Sequence, residues 1–200
     1  MATFGLGIIG TWQIPDNTIT TAKILDGTIL DADMSFRTLK KVAETTLVAQ
    51  ATTITFTGLD INTDQEYFIV VNWLNSAAGN TTLSMYVNND TTATNYYCEE
   101  GFDSGAGRTV ANINDARVAG ITNAGAVSGI GVLFRDVTGN PRASFNTTEL
   151  ATTLVRNYSY AMVKTATVAN ITQLDFTASA ANGLDVGTRI TIYGSTASGV

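Results

Sequence analysis

The stretch from about residue 46 onward constrains the fold most, because short runs in it alternate apolar with polar residues. Leu83, Met85 and Val87, for example, are separated by Ser84 and Tyr86. A period of two is typical of strands with one buried face. Because turn residues separate the runs, we expect roughly eight to ten short strands. The pattern predicts an all-β fold, a jelly-roll-like antiparallel β-sandwich over residues 46–200.

The run from Tyr67 to Leu74 departs from this alternation, since it is apolar at almost every position. A strand that is apolar on both faces is typical of the centre of a sheet with both sides covered. We expect the second cover to be another sheet or a neighbouring subunit. Trp73 lies in this run and is predicted to be a core residue rather than a ligand-binding one.

The N-terminal segment contains a short repeat in which an apolar residue recurs at every fifth position. The repeated positions are Ile14, Ile19, Ile24, Ile29 and Met34. Neither a strand period nor a helix period explains this spacing. A repeat so short cannot bury its apolar residues within one chain. The pattern therefore predicts a thin oligomeric stalk, with three parallel chains meeting along a common axis, within a docking segment at residues 1–45.

Residues 33–44 are predicted to form the one short helix of the chain. Asp33 or Ser35 is a suitable N-cap. Apolar residues follow at helical spacing, at Phe36, Leu39, Val42 and Ala43. The other face carries three basic residues, and it is either a solvated face or a docking surface: Arg37, Lys40 and Lys41.

Composition argues against several functional classes. Eleven Lys and Arg against 17 Asp and Glu give a net charge of −6, which disfavours nucleic-acid and anionic-membrane partners. There is no His, so the commonest general base and the commonest zinc ligand are missing. No apolar window approaches the roughly 20 residues that span a bilayer. We expect no enzymatic activity, no cofactor, no metal, no membrane insertion and no export by a signal peptide.

Motif-like segments add little catalytic potential. Residues 5–10 match GxGxxG but lack the preceding strand that a dinucleotide site needs. Residues 101–109 resemble a phosphate-binding loop with the wrong glycine spacing and Arg108 in place of lysine, so they are interpreted as a loop. Residues 60–66 are either an acidic inter-strand turn or an incomplete calcium loop. Glu99 and Glu100 are adjacent, so on a strand they point to opposite faces and form no acid–base pair.

The candidate binding residues lie around the 99–108 loop: Tyr96, Tyr97, Phe102 and Arg108. Aromatic side chains there could stack on sugar rings or anchor a protein contact, or they could belong to the core. Cys98, the only cysteine, excludes an intrachain disulfide. It is interpreted as a small buried side chain rather than a reactive thiol.

The repeat region also resembles a known group of proteins. The sequence ITTAKI at residues 19–24, followed by DGTI at 26–29, is similar to the DGTITTAKI decorations of tailed-phage fibre and tail proteins. Segments 56–68, 89–97, 171–176 and 187–194 look like the β-sandwich heads of phage fibre, receptor-binding or capsid-decorating proteins. The resemblance implies a homotrimer with an N-terminal virion anchor, a distal β head and no enzymatic activity.

These observations together predict a structural virion protein of a prokaryotic virus, of the fibre, tail-knob or capsid-decoration type. Residues 1–45 would dock on other virion proteins of the capsid or tail, and the head over residues 46–200 would bind a host-surface glycan or protein or reinforce the shell. The alternative is a stand-alone carbohydrate-binding module, which the stalk disfavours. A polysaccharide depolymerase would need paired acids at a cleft, and it is disfavoured because the carboxylates of this sequence are scattered over predicted turns.

Overall fold

The computed structural model describes residues 38–103, 108–151 and 154–196, and over these ranges the chain forms two antiparallel β-sheets. The strands in chain order are β1 (Thr38–Thr46), β2 (Thr53–Thr57), β3 (Glu66–Asn75), β4 (Thr81–Val87), β5 (Tyr96–Asp103), β6 (Arg108–Ile113), β7 (Arg117–Ile121), β8 (Gly125–Arg135), β9 (Pro141–Ala151), β10 (Leu154–Lys164), β11 (Gln173–Ala178) and β12 (Arg189–Thr196). One single-turn helix, α1 (Ile61–Asp64), and a 3-10 turn at Ala93–Asn95 complete the described elements.

The strand order confirms the predicted jelly roll. The large sheet has the order β1-β12-β3-β8-β9-β10-β5-β6, and the small sheet has the order β2-β11-β4-β7. When β5, β6, β9 and β10 are set aside, the first strand pairs with the last and the second strand pairs with the last but one. Each sheet then has four strands, which is the nested pairing of an eight-stranded jelly roll.

The four remaining strands are insertions into this framework. The hairpin β5–β6 is inserted between β4 and β7, and the hairpin β9–β10 is inserted between β8 and β11. Both hairpins add to the same edge of the large sheet, beyond β8. The large sheet is therefore twice as wide as the small one, and all of the extra width is on one side.

The hydrophobic core lies between the two sheets. Every second residue of β3 points into it, and Tyr67, Ile69, Val71 and Trp73 are all fully buried. The Trp73 indole N–H donates to the Gly183 carbonyl over 2.8 Å, so its polar atom is satisfied as burial requires. The predicted core position of Trp73 is confirmed.

A glycine in β8 allows the inserted strand β9 to pack closely. Gly131 lies directly across from Phe145, whose ring is 1% exposed. A Cβ atom at Gly131 would lie 2.3 Å from Phe145 Cδ1, well inside van der Waals contact. The absence of a side chain at Gly131 therefore makes room for the Phe145 ring on the inner face of the sheet.

The helix expected over residues 33–44 is wrong for the part of that range that the structure describes, because Thr38–Thr46 forms strand β1. β1 pairs with β12, and the register shifts between Lys41 and Ala43. Such a β-bulge inserts an extra residue and interrupts the two-residue alternation. Leu39, expected on the buried helix face, is 57% exposed.

The helix that does form, α1, accounts for the acidic segment at residues 60–66. Asp60 is its N-cap, and its carboxylate accepts hydrogen bonds from the Asn62 backbone N–H and the Thr63 hydroxyl. Hydrogen bonds from Thr63 and then Asn170 hold the pKa of Asp60 below its usual value. Asp60 therefore has a structural role as a helix cap and inter-loop acceptor.

The predicted stalk residues and the glycine-rich segment at residues 5–10 lie outside the described residues. Among the helices that the structure does describe, none is long and apolar enough to cross a membrane.

Candidate ligand-binding cleft

The two inserted hairpins create a cleft at one side of the sandwich. The last strand of the small sheet, β7, packs over β8, β9 and β10. The strands β5 and β6 lie farther along the large sheet. Tyr96 and Cys98 of β5 are buried, but Glu100 and Phe102, farther along the same face of β5, are partly exposed. The inner face of the large sheet is therefore open at this end, and the cleft is lined by the inserted hairpins together with β4, β7 and the residues beside them.

Three parallel aromatic rings line the inner face of β5 and β10. Phe102 stacks on Tyr158 with a centroid distance of 4.9 Å and an interplanar angle of 25°. Tyr158 is in turn nearly parallel to Tyr160, at 6.0 Å and 13°. The Arg156 guanidinium lies 5.9 Å from the Phe102 ring centroid, within the range of a cation–π contact. The rings hold one another in place, so the cleft has a rigid apolar wall.

Beneath this wall lies a buried carboxylate. Glu149 is 1% exposed and accepts hydrogen bonds from both the backbone N–H and the hydroxyl of Thr122, each at 2.8 Å. The Tyr158 hydroxyl donates to the same carboxylate over 3.3 Å, and Arg156 Nη1 lies 3.5 Å from it. Burial, followed by the nearby Glu149 charge, raises the pKa of Tyr158 to about 12. The Tyr158 hydroxyl therefore stays protonated and acts as the hydrogen-bond donor to Glu149.

The polar wall of the cleft is an ion pair between two strands of different sheets. Arg117 on β7 donates from Nη1 to Glu100 Oε2 over 2.7 Å, and its Nε lies 3.6 Å from Asp115 Oδ2. Glu100 and Arg117 are both partly exposed, so solvent screening limits what the pair adds to stability. Its main consequence is geometric, because an acceptor and a donor are fixed side by side at the mouth of the cleft.

Two adjoining hollows follow from this arrangement. One has a volume of about 310 Å³ and is lined by Asn80, Thr81, Thr82, Glu100, Arg117, Gly120, Ile121, Thr122 and Tyr158. The other has a volume of about 290 Å³ and is lined by Glu100, Phe102, Ala111 and Tyr158. They share Glu100 and Tyr158, so the cleft is extended rather than a single round pocket. The size range of ligand sites begins at about 300 Å³, so the larger hollow lies at its lower end and the smaller one just below it.

Of the three candidate binding residues whose side chains the structure describes, one lies in the cleft. Phe102 lines it. Tyr96 is fully buried, and its hydroxyl bonds to the backbone of Val87 and Asp90. Tyr97 is 54% exposed but points to the opposite face of β5. Arg108 is the first residue of β6, and its side chain is outside the part of the structure that is described.

Four residues of the cleft are absent from the sequence-based candidates: Glu100, Arg117, Glu149 and Tyr158. From the sequence, Glu100 is interpreted only as one of two adjacent acids that point to opposite faces of a strand. The structure places it on the inner face and Glu99 in solvent, in agreement with that interpretation. Arg117 and Tyr158 belong to strands far apart in sequence, and only the strand order brings them to Glu100. The signal available in the sequence was the Tyr158-Ser-Tyr160 alternation, which places two tyrosines on one face.

Groups that support catalysis or metal binding are scarce in the described part of the chain. Among those residues, no group of three or more His, Cys, Asp or Glu is arranged to hold a metal ion. Cys98 is buried, and burial followed by the nearby Glu100 charge raises the pKa of its thiol to about 12. A thiol protonated at neutral pH is a poor nucleophile.

No protein-family model, no curated protein and no solved structure gives a significant match to this chain.

Proposed function

We propose that this chain is a structural protein of a prokaryotic virus, a homotrimer that residues 1–37 attach to the capsid or tail and whose β sandwich is displayed for attachment to the host surface. The proposed docking segment ends before residue 38 rather than at residue 45, because Thr38–Thr46 is strand β1 of the sandwich. The protein acts by binding and carries out no reaction. Support for the viral assignment comes from the N-terminal repeat and the sequence resemblance. Support for a displayed, oligomeric head comes from the cleft on the inner face of the large sheet and from an apolar strip on its outer face.

The observation that carries the proposal is an apolar strip on the outer face of that sheet. Phe68 and Val70 of β3 lie directly across from Val132 and Ile130 of β8, and all four point away from the core. Ile130 is 49% exposed. Contiguous apolar surface on paired central strands is typical of a protein–protein interface. A second copy of the chain is the proposed cover, because the apolar repeat at residues 14–34 also needs partner copies.

The cleft and the outer strip together separate the proposal from a stand-alone carbohydrate-binding module. Both functions would use the cleft. A monomeric module would leave Ile130 and the exposed parts of its half-buried neighbours in water, whereas a trimer would bury them. The outer strip therefore favours the oligomeric protein.

Light scattering coupled to size exclusion tests the oligomer. The full chain should give about three times 21.1 kDa. Replacing Ile19, Ile24 and Ile29 together by Asp should shift the full chain toward smaller species, because charged residues cannot pack on an apolar axis. A wild-type monomer at micromolar concentration would contradict the proposal.

Virion attachment is tested by deleting residues 1–37, which leaves β1 and the rest of the sandwich intact. The shortened chain should fold, as judged by circular dichroism, and should no longer be incorporated into particles. Incorporation at normal copy number would show that this segment is not the attachment site.

A further inference from the structure

We propose that the cleft between β5, β7 and β10 binds a neutral saccharide, with Glu100 and Arg117 hydrogen-bonding to neighbouring sugar hydroxyls and with Phe102, backed by the buried Tyr158, contacting the sugar's C–H groups. The inference rests on the proposed function, because it names the class of ligand that the displayed head recognises.

The polar pair fits the hydrogen-bonding pattern of a sugar. Each hydroxyl can both donate and accept, whereas a carboxylate only accepts and a guanidinium only donates. Glu100 Oε2 and Arg117 Nη1 are 2.7 Å apart, so two hydroxyls on adjacent carbons can contact both groups at once. Asp115 holds Arg117 from the other side. The pair is therefore arranged before the ligand arrives, which reduces the entropy lost on binding.

The apolar wall fits the C–H groups of a sugar. Phe102 and Tyr158 are fixed by stacking on each other, and the Tyr158 hydroxyl is held by Glu149. Aromatic side chains provide a large contact area at low entropic cost when their rotamers are already fixed. An aromatic wall facing a donor–acceptor pair suits a ligand that has both apolar and hydroxyl-rich faces.

A buried hydroxyl in the larger hollow also points to a polar ligand. Thr81 lines that hollow and is 1% exposed, and its Oγ1 has no hydrogen-bond partner among the described residues. Buried polar atoms are usually satisfied, so such an atom in a ligand-sized hollow calls for an external partner. A sugar hydroxyl, directly or through water, can be that partner.

Charge favours a neutral sugar over an acidic one. Arg117, the only basic residue lining either hollow within the described chain, is already paired with Glu100 and Asp115. Arg156, which lies over Phe102, is close to Glu149. A uronate, a sulfate or a phosphate would therefore meet no uncompensated cation and would be repelled by the carboxylates. The net charge of −6 adds to this repulsion.

Saturation-transfer NMR on the full-length protein tests the inference. The neutral probes are the methyl glycosides of glucose, galactose, mannose, rhamnose, N-acetylglucosamine and N-acetylgalactosamine. The acidic probes are trigalacturonate, which is observed directly, and inorganic phosphate, which has no C–H protons and is tested as a competitor of the best neutral probe. At least one neutral probe should receive saturation, and competition should yield its Kd. Glu100→Gln, which keeps the side-chain shape, and Phe102→Ala should each weaken that binding by about tenfold.

Two neighbouring positions on the same strand supply matched controls. Glu99→Gln and Tyr97→Ala change the same types of residue on the opposite, solvent-facing side of β5, and both should leave the Kd within about twofold. A melting temperature recorded for each variant separates loss of binding from loss of folding. If Phe102→Ala fails to fold, the comparison of Glu100→Gln with Glu99→Gln decides alone.

Three results would overturn the inference: no neutral probe binds the wild type, an acidic probe binds more tightly than all neutral ones, or the Glu100 and Glu99 variants bind alike. These results are separate from a failure of the proposed function. A trimer on virions that binds no sugar would refute only the proposal of a saccharide site. A monomer that binds sugar in this cleft would refute only the proposal of an oligomeric virion protein.

Discussion

Replacing Glu149 by Leu should be one of the most destabilising single changes outside the apolar core. The carboxylate is buried and accepts two 2.8 Å hydrogen bonds from Thr122 and a longer one from Tyr158, and Arg156 lies 3.5 Å away. Leucine has a similar volume, so the change removes the acceptor without opening a large cavity. Its effect measures the hydrogen bonds and the charge rather than packing.

The expected loss can be worked out from these contacts. A hydrogen bond to a charged group contributes about 1.5–3 kcal/mol, and breaking a buried charged network costs about 3–5 kcal/mol. The Arg156 side chain is 24% exposed, so water can hydrate its guanidinium when the Glu149 carboxylate is removed, which reduces the loss. We expect a loss of about 3–5 kcal/mol and a Tm lower by roughly 6–20 °C for a domain of this size.

Thermal and urea unfolding of Glu149→Leu, Glu149→Gln and wild type, at equal protein concentration, measure this loss. The Gln variant keeps one acceptor oxygen and should lose only about 1–2 kcal/mol. Glu99→Leu, at an exposed position on β5, is the control and should stay within about 0.5 kcal/mol. A loss below about 1 kcal/mol for Glu149→Leu would refute the view that this carboxylate holds the cleft together.

Three further predictions follow from other contacts. Gly131→Ala should lower the free energy of unfolding by about 1–3 kcal/mol through overpacking. Adding Phe145→Leu should recover part of that loss in thermal unfolding. Additive effects of the two changes would contradict the close approach of Phe145 to Gly131. Hydrogen bonds from Lys164 and then Asn95 lower the pKa of Asp90 to about 2, so its contribution to stability is present above pH 4 and is lost as the pH falls toward 2. Asp90→Asn should therefore flatten urea-derived stability between pH 4 and 2, and an unchanged slope would contradict this. Cys98 should react with a thiol reagent at pH 8 only in urea, and rapid reaction of the native protein would show that its burial is wrong.

The fold could be predicted wherever the two-residue alternation was intact. β4 is the clearest case, because Leu83, Met85 and Val87 alternate with polar residues and all three are fully buried. Two strands were harder to predict for identifiable reasons. The bulge at Val42 interrupts the pattern of β1 and imitates helical spacing. β9 has a weak strand signal because Thr147 and Glu149, which are polar, occupy its inner face, so its apolar pattern stops halfway along the strand.

The cleft could be predicted only in part. The clustering of aromatic residues near a loop indicates Phe102 and Tyr96 alike as either binding or core residues. Phe102 lines the cleft, and Tyr96 is the core residue because it lies deeper between the sheets. Arg117 and Glu100 are paired by the order of strands rather than by spacing in sequence. Because an inserted hairpin can add to either edge of a sheet, no local pattern specifies which residues it will bring together.

The central claim is that this protein is displayed on the surface of a virion, and imaging of intact particles tests it most directly. Electron microscopy of purified particles labelled with an antibody against residues 38–196 should show label on the particle exterior, on the capsid or the tail. Particles that carry deletions of residues 1–37 should show none. Purified wild-type particles that lack label, while the protein is abundant in the host cytoplasm, would contradict the account.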